Sequence, residues 1–224
     1  MSERFLEGFV VDLAKLQKLV GTPKLSAKVV RAKTTKSSLT DVDMTLGDGE
    51  VKAGKPLTDA ALAQLAAGKF DKDDVYDLAR TNTLVLHAYA KSLGTIEVPY
   101  VAGHNFGLWN PVFKALGMKV MAKEYGVASF AFPFKKSPNV AWPISTVVGG
   151  ASLAAWNTEL AGTWAAKFPT LPDAPFTDKK YGPNTDEIAY AKSDLPPAFA
   201  KLKQWVAAAV KAKQALVLIL DGDQ

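Results

Sequence analysis

PPAFAKLKQWVAAAVKAK, residues 196–213, runs straight into QALVLILD, residues 214–221. The first part has helical spacing. Phe199, Leu202, Val206, Ala209 and Val210 fall on one stripe, and Lys201, Lys203, Lys211 and Lys213 ride outside it. The second part is an unbroken apolar run of β-formers, too short to cross a bilayer. Such a run reads as a strand covered on both faces. A helix that delivers a central strand needs layers on both sides of that strand.

Upstream, the chain supplies candidates for those layers. Residues 4–11 read as a first strand, and the last strand is expected to pair with it. Asp12 caps a helix carrying Leu13, Leu16 and Leu19, closed by Gly21. Pro23 opens a second helix, 24–33, with Leu25, Val29 and Ala32 on its apolar face. Residues 34–57 form a long polar connection, of the kind that carries function or moves. A short helix, 59–67, precedes a longer one, 73–92, with Val75, Ala79, Leu86, Ala90 and Leu93 on its stripe and Gly94 after it. Residues 95–101, with Pro99, read as a short strand or extended segment.

Asn110-Pro111 starts a helix that carries Val112, Phe113, Leu116 and Val120 and stops near Gly126. Residues 127–132 read as a strand, and Trp142-Pro143-Ile144 as a loop or edge segment. Gly149-Gly150 precedes a helix over 151–166, in which Trp156 and Trp164 share a face. Pro169, Pro172, Pro175 and Pro183 mark 168–184 as a surface connection. A short helix, 186–192, leads into Pro196-Pro197 and the final helix. Strands and helices do not alternate regularly. The pattern predicts an α+β fold, with a small mixed or antiparallel sheet that includes the N- and C-terminal strands and packs with several helices. One domain over 1–224 is expected, with long loops at 34–57 and 133–150.

Of the 224 residues, 48% are apolar and 22% charged, which places the chain among folded globular proteins. It has no cysteine, so disulfides, thiolate zinc sites and thiol nucleophiles are excluded. Glu3, Glu7 and Asp12 interrupt the apolar start, so no signal peptide is expected, and no span of about 18 uninterrupted apolar residues predicts a membrane helix. The expected location is the cytoplasm. The net charge of +5 is concentrated early: Lys15, Lys18, Lys24, Lys28, Arg31, Lys33 and Lys36 precede any acid between Leu13 and Thr40. A basic run of this kind is usually a solvated helix face. Its alternative use is to bind nucleic acid or another polyanion through Lys24, Lys28 and Arg31, which share a face at i, i+4 and i+7. Without interleaved aromatics, nucleic acid is the weaker reading.

Catalytic signatures are sparse. His87 lies mid-helix among Leu84, Leu86 and Ala88, where a satisfied boundary residue is the ordinary outcome. His104 sits in the glycine-flanked turn Gly103-His104-Asn105-Phe106-Gly107 and is the one candidate for catalysis. The two histidines lack partners at metal-ligand spacing, so neither a metal nor a cofactor is expected. Asp41-Val42-Asp43 and Asp71-Lys72-Asp73-Asp74 lack the glycine and distal glutamate of a calcium loop. Gly149-Gly150-Ala151-Ser152 opens a helix whose amides could hold an anion, but without the lysine of a phosphate loop a plain turn is the commoner meaning. The five tryptophans are Trp109, Trp142, Trp156, Trp164 and Trp205. Core packing is the default for Trp156 and Trp164, while Trp109 and Trp142 stand in turns beside prolines.

Three stretches resemble the YfbM-like family of small bacterial proteins. They are the opening Phe9-Val10-Val11-Asp12-Leu13-Ala14-Lys15-Leu16, the helix 60–68 leading into 76–94 with Leu86-His87-Ala88-Tyr89, and the closing Leu202-Lys203-Gln204-Trp205 with 216–220. The resemblance implies an α+β fold with a small sheet and carries no site residue. The chain departs from it in length at 34–57 and 133–184.

The expected function is non-enzymatic: a protein-binding module, in its narrower form a bacterial toxin-immunity or accessory protein. Segment 133–150 is the expected docking surface. Trp142 is its aromatic anchor, Lys135 and Lys136 address an acidic protein partner, and Pro133, Pro138 and Pro143 limit the entropy lost on binding. An enzyme using the His104 turn is the alternative from another class.

Overall fold

The computed structural model describes residues 4–20, 22–34, 75–102, 109–125, 144–177 and 184–222. Four stretches are strands: Arg4–Val11 (β1), Thr95–Ala102 (β2), Ile144–Val148 (β3) and Ala215–Gly222 (β4). They form one antiparallel sheet in the order β2-β1-β4-β3. The terminal strands pair along their whole length, from Arg4 opposite Gly222 to Val11 opposite Ala215. The other edge of β4 pairs with β3, from Ile144 opposite Leu220 to Val148 opposite Leu216. The apolar run at the C-terminus is therefore an internal strand, and the chain is α+β as its pattern predicts.

Side chains alternate across a strand, so each strand feeds two layers. Leu6, Val10, Leu216, Leu218 and Val148 enter one buried cluster; Phe9, Val11, Val217, Ile219 and Val147 enter another. β2 is an edge. Opposite Glu7 it carries two residues, Val98 and Pro99, between the pairs Leu6–Tyr100 and Gly8–Glu97. A bulge on an edge strand is where a proline, which cannot donate to the ladder, is tolerated.

The layer on the Phe9 side is built from three helices: Leu13–Val20 (α1), Pro23–Lys33 (α2) and Val75–Leu93 (α3). Asp12 caps α1 as its sequence suggests, its Oδ1 accepting from Lys15 N at 3.1 Å. The buried face of α2 is Ser26, Ala27 and Val30, whereas Leu25 is 38% exposed, Ala32 exposed and Val29 half-buried. The expected face of Leu25, Val29 and Ala32 is thus corrected by about one residue. Ser26 can turn inward because its hydroxyl donates to the Leu19 carbonyl, which removes the penalty of burying it. Along α3, Leu86 and Ala90 are buried, joined by Leu84, Val85, Ala88 and Tyr89.

The opposite layer contains Trp109–Leu116 (α4), Lys119–Glu124 (α5), Gly150–Ala161 (α6), Trp164–Lys167 (α7) and Thr185–Ala212 (α8). Several expectations are corrected here. The helix after Asn110-Pro111 already includes Trp109, and it breaks at Gly117, whose φ of 82° is in the left-handed region. Asn110 lies inside the helix, and its Nδ2 donates to the Tyr125 carbonyl at 2.8 Å. Trp109 is buried and stacks on Tyr125 with centroids 4.7 Å apart, so it is core and not a turn anchor. Gly162 separates α6 from α7, so Trp156 and Trp164 lie on different helices, although both are buried. The proline-rich connection contains two 3-10 turns, Phe168–Thr170 and Ala174–Phe176, that bury Phe168 and Phe176.

The largest correction concerns Pro196 and Pro197. They lie inside α8, a single helix of 28 residues, and do not separate two helices. Each proline removes a backbone donor. The buried stripe nonetheless runs through them, from Ile188, Ala191 and Leu195 to Ala198, Phe199, Leu202 and Trp205. Pro197 is on the exposed side, where water can take the freed carbonyls. Val210, expected on the buried stripe, is 38% exposed, and Trp205 is buried in its stead. The expected helix 59–67 and strand 127–132 lie outside the described residues.

Candidate functional site

β1 and β3 both run antiparallel to β4, so they point the same way and end at the same margin of the sheet, where β4 begins. From there the chain diverges. β1 passes through Asp12 into α1, whose Leu16 and Leu19 pack on one face. β3 passes through Gly149 into α6, whose Leu153, Trp156 and Leu160 pack on the other. The two strand ends flank the start of β4, and connections that leave them for opposite faces open a crevice over that start, comparable to the crevices at the carboxyl ends of strands that hold ligands in α/β sheets. Here the crevice is a cleft of about 660 Å³. Leu13 and Ala14 wall one side, Gly149, Gly150, Leu153 and Ala154 the other. The end of α8 and the start of β4, from Val210 to Ala215, close the third.

The cleft has a mixed lining. Leu13, Leu153 and Ala215 provide apolar surface. Gly149 keeps the walls close: a Cβ there would lie 3.3 Å from Leu13 Cδ2 and 3.4 Å from Ala215 Cβ. As the residue preceding α6 it has no side chain to accept from the first amides of that helix, which leaves the positive end of the helix uncapped. Gly150 follows with φ 54°, a left-handed conformation that glycine adopts without strain. Across the cleft, Lys213 ends α8 in the same conformation, φ 55°. Its N–H reaches the Val210 carbonyl and that of Gln214 reaches Ala209, each at 3.0 Å. This is a helix stop that normally uses glycine, and it puts an exposed ammonium on the cleft rim. The one carboxylate in the lining, Asp12, is already engaged by Lys15 N, with Lys15 Nζ 3.9 Å away. The arrangement suits an anchor with an apolar body and an anionic tip.

Elsewhere several acidic groups are tied into structure. His87 Nε2 lies 2.5 Å from Glu7 Oε2, and the two side chains are 15% and 16% exposed. His87 is thus a boundary residue paired with Glu7, set edge-on to Phe9 with centroids 5.5 Å apart. Burial pushes the Glu7 carboxyl up, but the His87 bond, the His87 charge and nearby Lys91 outweigh that and hold it below its ordinary range. The sequence reading missed Glu7 as a partner because its place at the β2 bulge is a tertiary fact. Two more glutamates clasp α5 to α6. Glu159 accepts from Val120 N and Met121 N at 2.9 and 3.0 Å, and Glu124 accepts from Ser152 Oγ and Trp156 Nε1, both at 2.9 Å. Burial lifts the Tyr89 phenol to about 12 despite a side-chain hydrogen bond with Ser26, and lifts that of Tyr125 further, so both stay protonated near neutrality.

Lys24, Lys28 and Arg31 are all exposed on α2, a shared solvated face as expected. His104, Lys135, Lys136 and Trp142 lie outside the described residues. Among the described residues no group of three or more His, Asp or Glu side chains could hold a metal ion, and no helix is long and apolar enough to cross a membrane. No family model matches the chain, and neither a curated protein nor a solved structure matches it.

Proposed function

We propose that this chain is a non-enzymatic binding module that captures an acidic segment of a partner protein, with toxin immunity as the narrower form of that role. The observation that carries the reading is the cleft at the ends of β1 and β3: apolar walls, an uncapped helix end and the Lys213 ammonium face one space. A partner's aspartate, glutamate or C-terminal carboxylate supplies the complementary charge, and an adjoining apolar side chain supplies the buried area. The sequence-level docking segment 133–150 ends in Gly149-Gly150, so its last residues form part of the same wall. Its Trp142, Lys135 and Lys136 keep their proposed role as a second point of contact with that acidic partner.

The test fills the cleft without disturbing the core. Ala154 is exposed and lines the cleft, so Ala154→Trp plugs it. Lys213→Glu reverses the charge on its rim. Affinity capture should retain the same protein on wild type and on Lys135→Ala/Lys136→Ala with reduced yield, and lose it on Ala154→Trp and Lys213→Glu at unchanged melting temperature. Undiminished capture by both cleft variants would remove the cleft from the function.

A further inference from the structure

The outward face of α2 carries a second recognition surface. Because Ser26, Ala27 and Val30 form the packed side of this helix, its longer apolar row, Leu25, Val29 and Ala32, turns away from the core. Leu25 and Ala32 are exposed and Val29 is half-buried. At about 100° per residue, Lys24, Lys28 and Arg31 form the next row round the helix on one side, and Lys33 stands beyond the apolar row on the other. All four cations are exposed. We propose that this face docks on a membrane surface of anionic lipid, with the apolar row entering the headgroup boundary and the cations meeting lipid phosphates and carboxylates.

The charges around the face agree. Neither α1 nor α2 contains a carboxylate, and α1 adds the exposed Lys15 and Lys18. Asp12, just before α1, lies 3.9 Å from Lys15 Nζ. Among the described residues no carboxylate forms an ion pair with Lys18, Lys24, Lys28, Arg31 or Lys33. α3, which packs on α2, brings Asp77, Arg80, His87 and Lys91, and its His87 holds Glu7 of β1. The next acids after α2, Asp41 and Asp43, lie outside the described residues. Nucleic acid would use the cations and leave the apolar row idle, and α2 has no aromatic to stack on a base. A protein's anchors need a pocket, and the cleft does not reach α2. A lipid surface needs no pocket. It accepts a helix along its length, with the apolar row inward and lysine stems reaching up to the headgroups.

The experiment is co-sedimentation of the full chain with vesicles of phosphatidylcholine alone, and of phosphatidylcholine and phosphatidylserine in equal parts, at low and high salt. Wild type should pellet with the anionic vesicles, release them as salt screens the charges, and ignore the neutral ones. Lys24→Gln/Lys28→Gln/Arg31→Gln should lower partitioning about a hundredfold, since each cation near such a surface is worth about fivefold. Leu25→Gln keeps every charge and should lower it about fivefold, which a purely electrostatic contact would not. All four positions are exposed, and unchanged circular dichroism checks that the variants fold. Ala154→Trp, in the cleft, should bind as wild type does. No pelleting with anionic vesicles, equal binding to neutral ones, indifference to either α2 variant, binding lost in Ala154→Trp, or tighter retention of duplex DNA or RNA than of the vesicles overturns the proposal.

Discussion

The two faces of the sheet solve the same problem with different materials. The face under α8 is aromatic: Trp109, Trp156, Trp164, Trp205, Phe113, Phe168, Phe176, Phe199 and Tyr125 all belong to its buried cluster. Phe199 alone packs against Trp109, Phe113, Trp164 and Phe168. The face under α3 is mostly aliphatic and alanine, with Phe9 and Tyr89 as its buried aromatics, and it accommodates the half-buried His87–Glu7 pair at its margin. The contrast is written into alternate residues of one strand. Gly8 exists for the aromatic side, since a Cβ there would lie 2.7 Å from Trp205 Cδ2 and Cε3. Glu7 and Phe9, its neighbours, serve the other. Large rigid rings fill wide gaps but demand exact backbone clearance, whereas small side chains pack closely and leave room for a charged pair. The cleft opens where the two layers separate.

Removing the strand that both layers share should have the largest effect. Deletion of residues 215–224 exposes both clusters, forfeiting several side chains worth roughly 1.5–3 kcal/mol each against a total stability of about 5–15 kcal/mol. The truncated chain is expected to be insoluble or unfolded by circular dichroism. A soluble product with a cooperative melt would show that the layers do not depend on β4.

Next in size is Gly8→Ala, which tests how little clearance the aromatic face has. Overpacking should cost about 1–3 kcal/mol in urea denaturation. Replacing Trp205 by Phe removes Cε3 and Cζ3, two of the three nearest ring atoms, so the same change made in Trp205→Phe should cost less. Equal costs in both backgrounds would mean that Gly8 matters for some other reason.

Pairing of the first and last strands was legible because an unalternating run of apolar residues has few other uses. Part of the cleft was legible too, since Gly149-Gly150 at a helix start signals available amides. Its other walls were not, because Asp12 and Lys213 are 201 positions apart and only the antiparallel pairing of β1 with β4 brings them together. The continuity of α8 was hidden by Pro196-Pro197: local propensity argued for a break, and a buried stripe on both sides overrode it. The face of α2 was displaced because Ser26 finds a buried acceptor seven residues back, a contact no periodicity reveals.

A smaller effect is expected where the two layers part. Lys213 holds a left-handed backbone that L-residues reach at a cost of about 1 kcal/mol or slightly more. Lys213→Gly should therefore raise the urea midpoint by an amount worth about 1 kcal/mol while weakening partner capture, because the strain is kept for the charge at the rim. A stabilised variant that binds as well as wild type would make the lysine incidental.

The smallest effect belongs to the aliphatic face. Glu7 is held below its ordinary range when folded, so the native state binds fewer protons than the unfolded one near that range. Its contribution is present above the unfolded carboxyl value and is lost as pH falls through the folded value. Wild type should lose melting temperature more steeply than Glu7→Gln as pH falls below about 4.5. Parallel slopes would indicate that the His87 contact does not favour the carboxylate.

The central claim is that one strand fastens both unlike layers. Native-state hydrogen exchange on the amides of Leu216, Val217, Leu218 and Ile219 tests it most directly. All four should exchange only through global unfolding, with opening free energies equal to that from denaturant melts and the same for residues facing either layer. Exchange of β4 amides at a lower free energy, with one helical layer still protected, would contradict it.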